Sequence, residues 1–315
     1  MTAKGAIGFE FGRSVQFKWL TEIGGFNWTL DDCTDCSSKA PHERCMILRC
    51  QPLDPHELFN ARLPLSGGRP TMFWTCFAQG TFKATSKNGH KEVVFHSWNF
   101  RFDGMHHEAH VHLNRSKYNE VSDLMKCGNE EPWGRVCIEI IDSFVTDLSK
   151  PANQLMQDSF DAAKFKIDGE KVWLSKKILG CHSPFFNNLF TQDSKKSTEF
   201  QYELANMKIS EFTHFLALLH GIRMPIDRDS VQYLLNMGDF FLCKIVLLRC
   251  EEFLERAGDA EIPVAEKVLH ASRFKLHELL INIVEKMPVE ELKQLPISDL
   301  SQYAAELIHL KLRIL

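Results

Sequence analysis

No stretch of this chain stays apolar for the roughly 18 residues that a membrane-crossing helix needs. The nearest approach, Phe240-Phe-Leu-Cys-Lys-Ile-Val-Leu-Leu248, is interrupted by Lys244. Met1 to Leu20 contains no apolar h-region, so no signal peptide is expected. Cations are not in excess: 37 Lys and Arg face 41 Asp and Glu, a net charge of −4. Nucleic acid is therefore not expected as the main partner, because phosphate binding needs clustered Lys and Arg. A glycine-rich phosphate loop is missing, and no Ser-His-Asp or Cys-His arrangement stands in a recognisable context, which argues against an enzyme and against catalytic or cofactor-binding residues. What is present is ordinary for a folded chain: 44% apolar and 25% charged residues over a length of 315, which favours two domains over one core. Without a signal sequence, the ten cysteines read as reduced thiols of a cytoplasmic or nuclear protein.

Residues 1–147 carry period-two alternation. Val15, Phe17 and Trp19 share one face, as do Phe26, Trp28 and Leu30, and then Met46, Leu48 and Cys50. Such alternation predicts strands with one buried side. Asn88-Gly89, between Thr81–Thr85 and Glu92–Phe95, predicts a hairpin, since a type I′ turn needs positive φ at both central residues. Gly67-Gly-Arg-Pro70 marks another turn, and Arg135–Ile141 reads as the last strand. Seven or eight short strands predict an antiparallel sandwich. Two constellations bear on metals. Cys33-x-x-Cys36 with Cys45 and Cys50 has the makings of a four-thiolate site, but Cys45 and Cys50 fall on opposite faces of one strand, and separate loop and strand thiols are the favoured reading. His110 and His112 share a strand face, yet the sequence shows no definite third ligand, so a solvated face is expected and no metal.

A polar segment, Asp147–Gln154, reads as a linker. Beyond it Lys164–Ile167 alternates, Asp168-Gly169 turns and Lys171–Leu174 returns, a tight hairpin. Lys176–Cys181 predicts a short helix ending near Gly180. Ser183-Pro184 then starts another, with Ser as cap and Pro at the first position. Phe185, Phe186, Leu189 and Phe190 fall at helical spacing. Phe200, Tyr202 and Leu204 alternate as a strand; Ser210 is a candidate cap for the next helix; Asp227–Met237 and Phe241–Leu254 predict two more.

This order of elements, with Asp161 and Lys176, Asp239-Phe-Phe-Leu242 and Arg249-Cys-Glu-Glu-Phe-Leu254, closely resembles a BTB (POZ) domain over residues 155–257. The sandwich before it resembles a MATH domain, a module that captures extended peptides at a sheet edge. Together the resemblances imply an α+β multidomain chain: an antiparallel MATH-like β-sandwich (1–147), an α/β BTB/POZ domain (155–257) and C-terminal helices (258–315). They imply homodimerisation, with Asp161 and Lys176 lining a charged pocket near the interface and Leu155, Met156, Ile178, Phe185 and Phe186 contributing to it. The alternative is that Leu155 and Met156 close the local core, and that Asp161 and Lys176 are surface charges. Ser175 stands where the family usually has His, and His220 where it usually has Tyr.

Many members of the family join a cullin to its substrate. A hydrophobic-x-acidic motif belongs at Ser194-Lys195-Lys196, and neither the apolar anchor nor the acid is there. The candidate cullin surface accordingly comprises Leu189, Phe190, Ser194, Lys196 and Phe240. After the joint Gly258–Pro263, apolar stripes predict helices over Val264–Phe274, His277–Met287 and Ser298–Leu315. Two functions compete. One is a dimeric adaptor whose sandwich binds a target protein while the BTB module recruits a cullin-RING ubiquitin ligase; the other is a dimeric scaffold or transcriptional cofactor without cullin.

Overall fold

The computed structural model describes residues 2–10, 19–32, 43–53, 70–86, 92–114, 121, 133–158, 160–192, 201–222 and 224–314. The chain divides into two compact units, Met1–Ser149 and Lys150–Leu315.

Eight strands among the described residues build the first unit: β1 (Lys4–Glu10), β2 (Trp19–Ile23), β3 (Phe26–Asp32), β4 (Glu43–Pro52), β5 (Met72–Thr85), β6 (Glu92–Asp103), β7 (Glu108–Asn114) and β8 (Trp133–Asp147). They form two four-stranded sheets, β1-β8-β5-β6 and β2-β3-β4-β7, with every pairing antiparallel. The alternating apolar residues meet between the sheets. Trp28, Leu30, Met46, Leu48 and Cys50 come from one; Ile7, Phe9, Cys76, Phe82 and Val136 come from the other. Strands with one apolar face must bury it against another layer, and this packing is the sandwich. Gly80 lies where β5 passes β8 and β6: a Cβ there would collide with the Cys137 carbonyl oxygen and the Trp98 ring. The strands are longer than the sequence periodicity suggests, 14 residues in β5 and 15 in β8, because a bulge between Phe77 and Ala78 carries the pairing past a break in alternation. The predicted Val15–Trp19 strand, the Gly67–Pro70 turn and the Asn88-Gly89 turn fall largely outside the described residues; β2 begins at Trp19, and β5 and β6 pair as the hairpin requires.

The second unit opens with β9 (Ala162–Ile167) and β10 (Glu170–Ser175), joined by Asp168 (φ 52°) and Gly169 (φ 82°), the paired positive angles of a type I′ turn. β11 (Gln201–Leu204) lies parallel to β9. Helices follow: α1 (Lys176–His182), α2 (Pro184–Gln192), α3 (Ile209–Leu219), α4 (Arg228–Phe240), α5 (Lys244–Arg256), α6 (Val264–Arg273), α7 (His277–Lys286), α8 (Val289–Leu292) and α9 (Gln302–Ile314). Ser183 Oγ accepts the Phe186 N–H (3.2 Å) and donates to the Phe241 carbonyl (2.5 Å), so the predicted cap also ties α2 to the end of α4. Asp227 and Ser230 form a reciprocal capping box at α4.

Several boundaries differ from expectation. Helix α1 runs past Gly180 to His182. Ser210 does not cap α3, which starts at Ile209 behind Lys208 without a side-chain cap; burial of Ile209 and Phe212 holds that first turn instead. Helix α5 begins at Lys244, because Phe241 ends α4 and Leu242 adopts φ 54° between them. The last helix begins at Gln302 after a 3-10 turn at Ile297–Asp299, and Pro288 opens the unpredicted four-residue α8.

Two lysines close the C-terminal helices. Lys267 Nζ donates to the Ala257 carbonyl (2.5 Å) just past α5. Lys311 Nζ donates to the carbonyls of Val284 (2.8 Å), Glu285 (2.9 Å) and Met287 (2.7 Å) at the end of α7. The last carbonyls of a helix lack internal partners and carry partial negative charge, so an ammonium there answers both needs.

Candidate protein-interaction surfaces

The apolar residues of α2 divide between interior and surface. Phe186 is wholly buried, with Phe165, Phe190 and Phe241 rings at 6.0, 6.1 and 4.7 Å. It therefore supports the surface from beneath and offers nothing to a second chain directly, a correction to its place in the expected interface. Phe185, half-buried, packs on Phe240 (5.5 Å) and Phe241 (5.4 Å). Phe240 is 62% exposed and Leu242 is 55% exposed. Leu189 and Phe190 are half-buried, with Phe190 facing Tyr202 at 5.6 Å. An exposed apolar surface thus sits on a packed aromatic base at the junction of α4 and α5. Leu242 is unusual in being a branched residue held at positive φ, fixed by Leu242 N–H to the Asp239 carbonyl (3.1 Å) and Cys243 N–H to the Gly238 carbonyl (2.7 Å). Strained backbone beneath an exposed apolar side chain points to function. Ser194 and Lys196 lie outside the described residues.

The segment before β9 is held by two buried polar groups. Asn153 Nδ2 donates to the carbonyls of Lys150 and Trp173 (3.0 Å each), and its Oδ1 accepts the Leu155 N–H (3.0 Å). Leu155 and Met156 are half-buried as a result. Asp161, 1% exposed, accepts Ser175 Oγ–H (2.7 Å), Lys177 N–H (2.8 Å) and Gln157 N–H (3.3 Å). Its carboxylate caps α1, so Asp161 is a buried group and not a surface charge. Ser175, at the departure from the family pattern, is what makes this bond. Lys176 sends its ammonium to the Phe160 carbonyl (3.5 Å), leaving Asp161 to its hydroxyl and amide donors. Ile178 is half-buried on α1. Phe160, beside this cluster, is 89% exposed. No sequence pattern marked it as a surface residue; an aromatic one position before a buried carboxylate is the only available signal.

On the sandwich, a cavity of about 960 Å³ crosses the outer face of β1-β8-β5-β6. It is lined by Lys4, Thr81, Lys83, Ser97, Asn99 and Glu139 among others. Glu139 pairs with Lys4 (2.7 Å) and Gln79 (3.2 Å), and Lys83 with Glu92 (2.7 Å). At the edge strand β6, Val93 and Val94 are 38% and 49% exposed. On the other sheet a charge row crosses the strands: Arg49 meets Asp31 and Glu108. His110 and His112 stand exposed on β7, Cys45 is buried on the same side of β4, and Cys50 lies in the core on the opposite side. Cys33 and Cys36 fall outside the described residues. Burial pushes the Cys243 thiol up to about 11 and the Cys250 thiol up to about 12, which makes both poor nucleophiles.

Residues 152–257 match the family model of the BTB/POZ domain, and this part of the chain is a BTB/POZ domain. The chain is similar to BTB and MATH domain-containing protein 38 of Caenorhabditis elegans, 30% identical over 142 residues covering 44% of this chain and 36% of that one. It is also similar to BTB and MATH domain-containing protein 36 of the same organism, 22% identical over 302 residues covering 88% of this chain and 84% of that one. The first match thus spans about a third of that relative's length, while the second takes in residues of both units. Against the solved BTB domain of human gigaxonin the identity is 22%, over 31% of this chain and 80% of that chain, with a TM-score of 0.27, too low to add to the fold assignment.

Proposed function

We propose that this chain is a dimeric protein-interaction adaptor of the cytoplasm or nucleus, in which the BTB domain self-associates and engages a cullin while the sandwich holds a target protein. The observation that carries the cullin part is the exposed pair Phe240 and Leu242, mounted on Phe185 at the junction of α4 and α5. Interfaces draw most of their energy from a few aromatic and apolar anchors near their centre. This surface supplies such anchors where the family's motif position, Ser194-Lys195-Lys196, does not. Self-association is supported by Leu155, Met156 and the 89%-exposed Phe160, which lie just before Asp161 in sequence, and by Ile178 on α1, next to the Lys177 N–H that Asp161 accepts; a two-fold interface needs one self-complementary apolar patch. Target binding by the sandwich is supported by β6, an edge strand among the described residues with Val93 and Val94 exposed, to which an extended segment can add by main-chain hydrogen bonds.

The test is a calorimetric titration of the chain with the N-terminal domain of a BTB-binding cullin, repeated with Phe240→Ala. The reading predicts saturable binding, weakened by about tenfold or more in the variant, the scale of a truncated anchor. Absence of heat at high micromolar concentration from folded protein would contradict it. The missing acidic motif would then favour the second reading, a dimeric scaffold or transcriptional cofactor without a ligase.

A further inference from the structure

Given the self-association assigned above to the BTB domain, on which this step rests, we propose that Phe160 of each chain seats in an apolar groove at the far end of α1 of a second copy. Phe160 is 89% exposed, more than any other large apolar side chain among the described residues. A buried aromatic ring takes roughly 150–250 Å² out of water, so a ring left outside forgoes a large gain. The backbone that carries it is fixed at the start of α1: the Lys176 N–H donates to the Asp161 carbonyl (2.8 Å), and the Lys176 ammonium reaches the Phe160 carbonyl (3.5 Å).

The groove, of about 660 Å³, lies between α3, α5 and His182, the last residue of α1. Leu218, Ile222, Ile226, Ile245 and Phe253 line it, and all five are only half-buried, so its floor is apolar surface that the chain itself leaves partly uncovered. The charges at its rim are already matched. Arg249 and Arg256 both meet Glu252, at 2.9 and 3.4 Å. An acidic occupant would have to compete with that carboxylate, whereas an uncharged ring covers the floor and leaves both ion pairs in water. Beside Phe160 the charges are matched in the same way, with Asp158 paired to Lys177 at 2.9 Å.

The seven residues of α1 span about 10 Å, with Phe160 at one end and the groove at the other. A two-fold axis crossing α1 at right angles reverses its direction, so the start of one α1 comes beside the end of the other. Each Phe160 is then carried to the partner's groove, and the contact is made twice. Ile178, half-buried on α1 between the two ends, falls near the axis. Because ring and groove belong to one self-complementary surface, the pairing closes at two chains and does not propagate.

The experiment uses the full chain carrying Phe160→p-benzoylphenylalanine, a photoreactive ring of similar shape. Irradiation is expected to give covalent dimers whose cross-linked peptides, read by mass spectrometry, fall within residues 218–226 or 245–256. Phe160→Ala, at an exposed position, should fold normally and weaken the dimer at least tenfold in sedimentation equilibrium; Ile222→Asp, which puts a charge on the groove floor, should do the same. Dimers that persist while the cross-links map elsewhere, or that are indifferent to Phe160→Ala, overturn this inference and leave self-association standing. An unaltered chain that sediments as a monomer at micromolar concentration overturns both.

Discussion

At the scale of single residues, burial separates side chains that the sequence pattern makes equivalent. Phe185 and Phe186 are neighbours with the same chemistry and both fit an apolar helix face. Only the packing of Phe241 shows that one is interior and the other is surface. Asp161 is legible as a special residue but not as a buried helix cap, because its partners Ser175 and Lys177 arrive by the return of the hairpin. Leu242 has no sequence signal at all, since its positive φ follows from how α4 ends. A left-handed conformation costs an L-residue about 1–2 kcal/mol, and glycine avoids that cost while losing more freedom on folding. Leu242→Gly is accordingly expected to stabilise the chain by about 1 kcal/mol in denaturant titration while weakening cullin binding. A loss of stability would show that the leucine side chain contributes more to the fold than its exposure implies.

At the scale of elements, turn and cap chemistry was the most legible part. Asp168-Gly169, Ser183-Pro184 and Asp227 each carry their local reason in their own side chains. The distant partners of elements were not legible: β11 and the C-terminal helices read as a strand and as helices, but neither the parallel pairing of β11 with β9 nor the lysines that tie those helices can be read from the sequence. Lys311→Met keeps most of the side-chain length but removes three hydrogen bonds from an ammonium to the end of α7. Hydrogen bonds to charged groups contribute roughly 1.5–3 kcal/mol. A loss of about 2 kcal/mol in chemical unfolding is expected, and an unchanged midpoint would contradict the latch. The turn from β6 to β7 adds a pH dependence. Burial alone would raise the Asp103 carboxyl. The His106 ring, together with the N–H groups of Met105 and His106, outweighs that effect and holds it below its usual range. A carboxyl depressed in the folded state contributes stability that is complete above its unfolded value, near pH 4, and is lost as pH falls through the folded value. Between pH 7 and pH 3, thermal unfolding of Asp103→Asn should therefore show a shallower decline than that of the unaltered chain; parallel declines would contradict this.

At the scale of the whole molecule, the chain joins a sandwich whose edge strands among the described residues are β1, β6, β2 and β7 to a BTB domain that exposes Phe160, Phe240 and Leu242. Fold class was legible because period-two and helical spacing dominate long segments. The surfaces were legible only in part, because exposure depends on the three-dimensional neighbours of each apolar residue. Multi-angle light scattering on the full chain, alone and with the cullin N-terminal domain, tests the central claim most directly. The account predicts a particle of twice 36.3 kDa alone, and two chains with two cullin domains in the mixture. A single 36.3 kDa chain at micromolar concentration, with no shift on adding cullin, would contradict it.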